Sequence, residues 1–145
     1  MRVVFDSNIL ISALLFPGGR AEAAVANILD GIDDLVISRP VIREVLSVLA
    51  SKFSRDKEEI SRVAVVLGEM GEIVEPLHRL SVFSDEPDNR ILECAVEGKA
   101  MVIVTGDKAM LAIREYEGIR LITLADYLDK PRGGRILRGS LPKSP

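Results

Sequence analysis

The sequence holds one cysteine, one histidine and no tryptophan, and aromatic residues fill only 4% of its 145 positions. A single thiol, Cys94, excludes an internal disulfide and any zinc site built on paired cysteines. A single imidazole, His78, excludes a multi-histidine metal centre. The four phenylalanines are scattered, so no aromatic platform for stacking bases is visible. No apolar run approaches the ~20 residues of a membrane span. The opening Arg2-Val3-Val4-Phe5 has no basic region, long apolar core or small-residue cleavage site of a secretory leader. The expectation is a cytoplasmic protein with no membrane partner. Gly18-Gly19 lacks the spacing and the lysine of a phosphate-binding loop.

What is present is an aliphatic core. Hydrophobic residues make up 48% of the chain and charged residues 28%. This length and balance predict one folded domain rather than a disordered segment. The net charge of −3 hides an asymmetry. From Lys130 to Pro145 there are five bases and no acid, leaving 14 bases against 22 acids in the rest. Residues 1–130 are therefore read as the domain. Residues 131–145, with several Gly and Pro, are read as a basic and flexible tail.

Strand-like and helix-like segments alternate. Short β-rich runs fall at Arg2–Phe5, Leu35–Ile37, Glu72–Glu75, Met101–Val104 and Arg120–Thr123. Helical patterns fall at Ala21–Leu29, Val41–Phe53, Asp56–Met70, from Ser84 to about Glu97, Asp107–Tyr116 and Leu124–Leu128. Strands separated by helices predict a three-layer α/β/α fold around a parallel sheet covered on both faces. In such a sheet the site lies beyond the carboxyl ends of the strands, where strand order reverses.

Four acids fit that place. Asp6 ends the first strand, and Asp107 follows the Met101–Val104 strand by three residues. Asp88 shares a helical face with Ile91, Leu92 and Ala95, an inward position that costs energy for a lone charge. Glu44 borders the apolar stripe of its helix. Each has a plain alternative: Asp6 and Asp107 as helix caps, Asp88 as a first-turn acid, Glu44 as a solvated carboxylate. Glu93 points away from the face of Asp88 and reads as surface. Carboxylates brought together raise one another's pKa or take a cation between them. A hard divalent ion, Mg²⁺ or Mn²⁺, suits oxygen ligands and needs no His or Cys. Such an ion supports phosphodiester hydrolysis.

At these residues the sequence resembles the PIN-domain ribonucleases, particularly the toxins of VapBC-type toxin–antitoxin pairs. Val3-Val4-Phe5-Asp6-Ser7-Asn8-Ile9-Leu10-Ile11-Ser12-Ala13 is similar to the family's first motif, Arg43-Glu44-Val45 to its second, Asp85-Glu86-Pro87-Asp88-Asn89-Arg90-Ile91-Leu92-Glu93-Cys94-Ala95 to its third, and Val104-Thr105-Gly106-Asp107-Lys108 to its fourth. The resemblance runs from about Met1 to Lys130. It implies Mg²⁺- or Mn²⁺-dependent cleavage of RNA, homodimers and inhibition by a cognate antitoxin. It makes Asp6, Glu44, Asp88 and Asp107 the catalytic metal ligands. Asn8 and Thr105 become groups that hold carboxylates in place, with Asp85 as a neighbour. A catalytically silent PIN-like RNA-binding or scaffold module is the alternative. Receiver-type phosphoacceptors and haloacid-dehalogenase-like phosphatases fit less well. The middle strands end without an acceptor Asp, and position 8 is Asn8 where the second design wants Asp.

Overall fold

A computed structural model describes residues 1–129. The basic tail and its expected mobility lie outside the described residues. The elements run β1 (Arg2–Phe5), α1 (Ser7–Leu15), α2 (Arg20–Leu29), β2 (Asp34–Ser38), α3 (Arg39–Lys52), α4 (Lys57–Met70), β3 (Gly71–Val74), α5 (Glu86–Glu97), β4 (Val102–Val104), α6 (Lys108–Ile113), β5 (Glu115–Tyr116), β6 (Ile119–Ile122) and α7 (Leu124–Asp129).

The six strands order as β3-β2-β1-β4-β6-β5. All neighbours are parallel except β5 and β6. Successive side chains of a strand point to opposite faces. Val3, Val4 and Phe5 are all at most 1% exposed, and so are Val102, Ile103 and Val104. Both faces of the central strands are therefore covered, as the three-layer reading expects. The core is aliphatic, with Phe5 and the fully buried Tyr127 in edge-to-face contact at 5.5 Å.

Chain order departs from sheet order at two places, between β1 and β4 and between β4 and β6. β1 is followed in space by β2 and β3 on one side and by β4 and β6 on the other. The crevice between the ends of β1 and β4 is the topological switch point. Pairing there continues past the strands: Asp6 N–H donates to the Val104 carbonyl at 2.9 Å, and Thr105 N–H to the Ile122 carbonyl at 2.9 Å.

One predicted segment differs from the structure. The helix expected over Asp107–Tyr116 ends at Ile113, and Glu115–Tyr116 is an edge strand. Its hairpin turn uses Glu117 (φ 48) and Gly118 (φ 86), both in the left-handed region. That pair of conformations is the two-residue turn matching strand twist. The segment after Asp6 is a nine-residue helix, α1, with Ile9, Leu10 and Ile11 buried. Its apolar residues spread round the axis and leave little periodicity to read.

One close approach fixes α5 on the sheet. A Cβ on Gly98, at the end of α5, would lie 2.2 Å from Cγ1 of Val36 in β2. Only glycine lets the helix end meet the strand there.

Candidate active site

Asp6 leaves the end of β1 and caps α1, its Oδ1 accepting from Asn8 N–H at 3.3 Å. Its Oδ2 accepts from the Thr105 hydroxyl at 2.7 Å. Thr105 follows β4 and is fully buried. Its Oγ1 also accepts from Asp107 N–H at 3.0 Å. Asp107 caps α6 through Oδ1 and Met110 N–H at 3.0 Å. One hydroxyl thus ties the two strand-end acids together. The cap alternative holds for both residues, and a cap is compatible with a second role.

Asp88 approaches from the first turn of α5 and is 6% exposed, on the inward face that its wheel position predicts. Burial, then the charges of Asp107, Asp85 and Asp6, push its pKa up to about 7. Burial also raises Asp6, against the hydrogen bonds from Thr105 and the backbone, and Asp107 raises it further. The switch point therefore concentrates negative charge that the fold leaves incompletely balanced. Asp85 sits at the start of α5 and contributes to that field.

Glu44 stands slightly apart. It is partly exposed on α3 and borders a small cavity of about 170 Å³ shared with Ser7, Pro40, Glu86 and Arg90. Ser7 adjoins Asp6, which puts this cavity next to the aspartates. The structure brings Asp6, Asp88 and Asp107 into one electrostatic unit and sets Glu44 at its margin. Among the described residues no three His, Cys, Asp or Glu side chains close up enough to hold an ion as they stand.

Thr105 holds one carboxylate, that of Asp6; its contact with Asp107 is to the backbone N–H. Asn8 holds the Asp6 carboxylate through its own backbone N–H; the residue is exposed and lines a groove of about 480 Å³ that Asp107 also borders. Two residues of the third motif carry more than sequence reasoning gave them. Asn89 is fully buried, accepts from Val82 and Phe83 N–H at 3.0 and 2.8 Å, and donates to the Phe83 carbonyl at 2.8 Å. It clamps the segment that leads into α5 and so places Asp85 and Asp88. Glu93 is not at the surface as expected: it is 5% exposed, pairs with Arg90 and accepts from Leu80 N–H at 2.8 Å. A buried carboxylate is tolerable because it is paired and hydrogen-bonded. The readable signal was Arg90, one turn before Glu93. His78 is exposed and Cys94 is fully buried.

The sequence profile of the PIN domain family matches residues 2–109, which contain all four acids. The chain belongs to the PIN domain family. An uncharacterised protein of Methanocaldococcus jannaschii, MJ1680, is 31% identical to this PIN domain, covering 79% of this chain and 76% of that one. Among solved structures, VapBC2 of Rickettsia felis, bound to a promoter DNA fragment, has a chain that matches with a TM-score of 0.61 at 16% identity. The match covers 85% of this chain and 98% of that one. VapBC-1 of nontypeable Haemophilus influenzae matches with a TM-score of 0.57 at 16% identity, covering 86% and 99%. At that identity the likeness is one of fold: this PIN domain shares the α/β architecture of those toxin–antitoxin structures.

Proposed function

We propose that this PIN domain is a divalent-metal-dependent ribonuclease that hydrolyses RNA phosphodiester bonds, acting as the toxin of a toxin–antitoxin pair. The observation that carries the reading is the charge at the switch point. Asp6, Asp88 and Asp107 sit at the meeting of β1, β4 and α5, and two of them are pushed toward protonation by burial and by one another. Evolved sites keep such strained charges where they are used. The donor set is all oxygen, which fits Mg²⁺ or Mn²⁺. Asp6, Asp88 and Asp107 would hold the ion, with Glu44 reaching it directly or through water. A bound ion of this kind neutralises the scissile phosphate and lowers the pKa of a coordinated water. The chain's own contribution is orientation. Thr105 fixes one oxygen of Asp6, and the cap of α6 fixes one oxygen of Asp107. Each carboxylate keeps limited freedom to turn toward a ligand.

The test is cleavage of a labelled structured RNA pool with Mg²⁺ or Mn²⁺, beside EDTA and Asp6→Asn. Metal-dependent cutting lost in the variant supports the reading; full activity in purified Asp6→Asn overturns the site.

The toxin role draws on the two VapBC structures and on an apolar groove of about 430 Å³ between α1, α2 and α4. Leu14, Val25, Leu29, Val66 and Met70 are among its walls. Leu29 is 68% exposed and Val66 48%. An apolar lining of this kind suits an apolar segment of a protein partner, and the occupant in this reading is an antitoxin segment. A cytoplasmic homodimer completes the proposal; light scattering of the purified chain tests the dimer.

A catalytically silent RNA-binding module has one observation in its favour, that the acids as placed do not enclose an ion. Calorimetric titration with Mn²⁺ separates the two, because the silent module shows no heat that Asp88→Asn removes.

A further inference from the structure

Two grooves flank the aspartates, and they differ in size and chemistry. The one with Glu44 holds about 170 Å³. Its cation is committed, since Arg90 already pairs with Glu86 at 3.1 Å and Glu93 at 2.9 Å. The second groove holds about 480 Å³. Pockets that enclose small-molecule ligands run from ~300 to 1,000 Å³, so a nucleotide-sized group fits the second groove and not the first.

The lining of the larger groove matches one nucleotide. Ile9, Ala21 and Leu124 supply aliphatic walls, while Asn8, Ser12 and Lys108 supply polar and charged groups. Asn8 and Lys108 are exposed. Among the described residues neither side chain is spent on a hydrogen bond or an ion pair. Asp107 belongs both to the aspartate centre and to this groove. A strand whose phosphate reaches the carboxylates therefore has its neighbouring nucleotide beside Asp107.

We propose that this groove is a substrate subsite for one single-stranded RNA nucleotide next to the cleaved phosphate. In it Asn8 and Ser12 read the base edge or the 2′-hydroxyl, and Lys108 takes the adjoining phosphate. The proposal rests on the ribonuclease reading above and adds where the strand lies and which residues choose its sequence. Single-stranded RNA is recognised through base edges and the 2′-hydroxyl, and an amide and a hydroxyl supply the donors and acceptors for both. No aromatic side chain is among the described residues of the groove. Selection therefore comes from shape and edge contacts rather than stacking, which is sequence-tolerant.

The experiment uses the full chain with Mn²⁺ and a randomised single-stranded RNA pool, with cleavage sites read by sequencing. Binding of a labelled single-stranded RNA oligomer is followed by anisotropy in parallel. Lys108→Gln is a surface change that leaves folding intact. It should raise KM and Kd about tenfold, hold kcat within about twofold, and flatten the log–log salt dependence of binding by ~0.7. Ser12→Leu, filling the groove, should alter the nucleotide preference at one position beside the cut; Ser12→Thr should restore it. Unchanged preference in Ser12→Leu together with unchanged binding in Lys108→Gln overturns the proposal, even if the wild type cleaves RNA. RNA binding that both variants weaken, with no cleavage by the wild type, keeps the subsite and overturns the nuclease reading. A wild type that binds no RNA overturns both.

Discussion

Replacing Asp88 by Asn should make the metal-free protein more stable while abolishing cleavage. Asp88 is 6% exposed and shares its surroundings with the charges of Asp107, Asp85 and Asp6. Its pKa stands at about 7 against an ordinary value of 3.8. A raised carboxyl pKa means that the folded state holds a proton which the unfolded chain has released. Stability from this group is complete below pH ~4, declines as pH rises toward 7, and is flat above. About three units at 1.36 kcal/mol each set a ceiling of ~4 kcal/mol at pH 8. Local relaxation and water entry lower that figure, so a gain of ~1–3 kcal/mol is expected for the neutral amide. For a chain of this size that is a rise of roughly 3–10 °C in Tm. By pH 5 little more than a third of the penalty has developed, so the gain should shrink to ~1 kcal/mol or less. Thermal unfolding in EDTA at pH 8 and pH 5 measures both values. With saturating Mn²⁺ the order should reverse, because the ion stabilises only the chain that binds it. An Asp88→Asn protein no more stable than the wild type at pH 8 would refute the argument. So would a gain of equal size at pH 5, which would come from packing rather than charge.

Three further outcomes follow from particular contacts. Thr105→Val keeps the shape but removes the hydroxyl between Asp6 and Asp107; cleavage should fall about 10–100-fold. Because that bond lowers the pKa of Asp6, the acid limb of the pH–rate profile should also move to higher pH. Gly98→Ala forces a methyl against Val36 and should cost ~1–3 kcal/mol, seen as a lower urea midpoint at constant slope. Tyr127→Phe removes the 2.7 Å bond from the phenol to the buried Asp33 carboxylate. Its loss should destabilise by ~1.5–3 kcal/mol with kcat per folded molecule unchanged.

The alternation of strands and helices was readable because buried parallel strands are short aliphatic runs. Val102-Ile103-Val104 needs no alignment to be seen. The placement of Asp6 and Asp107 followed from that reading alone, since the end of a central strand is a definite place. Asp88 followed from helical periodicity. What stayed hidden depends on partners. Glu93 reads as surface until Arg90 and the backbone of Leu80 fold over it. Asn89 carries no pattern of its own until the segment before α5 supplies its three hydrogen bonds. The β5–β6 hairpin stayed hidden because its turn is Glu117-Gly118 rather than the usual Asn-Gly or Asp-Gly. The backbone role of Asn8 was also beyond reach: the carboxylate it was expected to hold is already satisfied by the Asn8 backbone N–H and by Thr105.

The sheet order has a consequence for the chain during its synthesis. β1 is completed within the first few residues, yet one of its two neighbours, β4, begins about a hundred residues later. Contacts so distant in sequence form late in folding. A nascent chain that has already exposed Asp6 therefore lacks Thr105 to orient it and Asp107 to complete the cluster. Under the proposed activity a growing polypeptide is harmless to the RNA around it, including the message being read. Hydrolytic competence arrives only when the strand that closes the middle of the sheet leaves the ribosome.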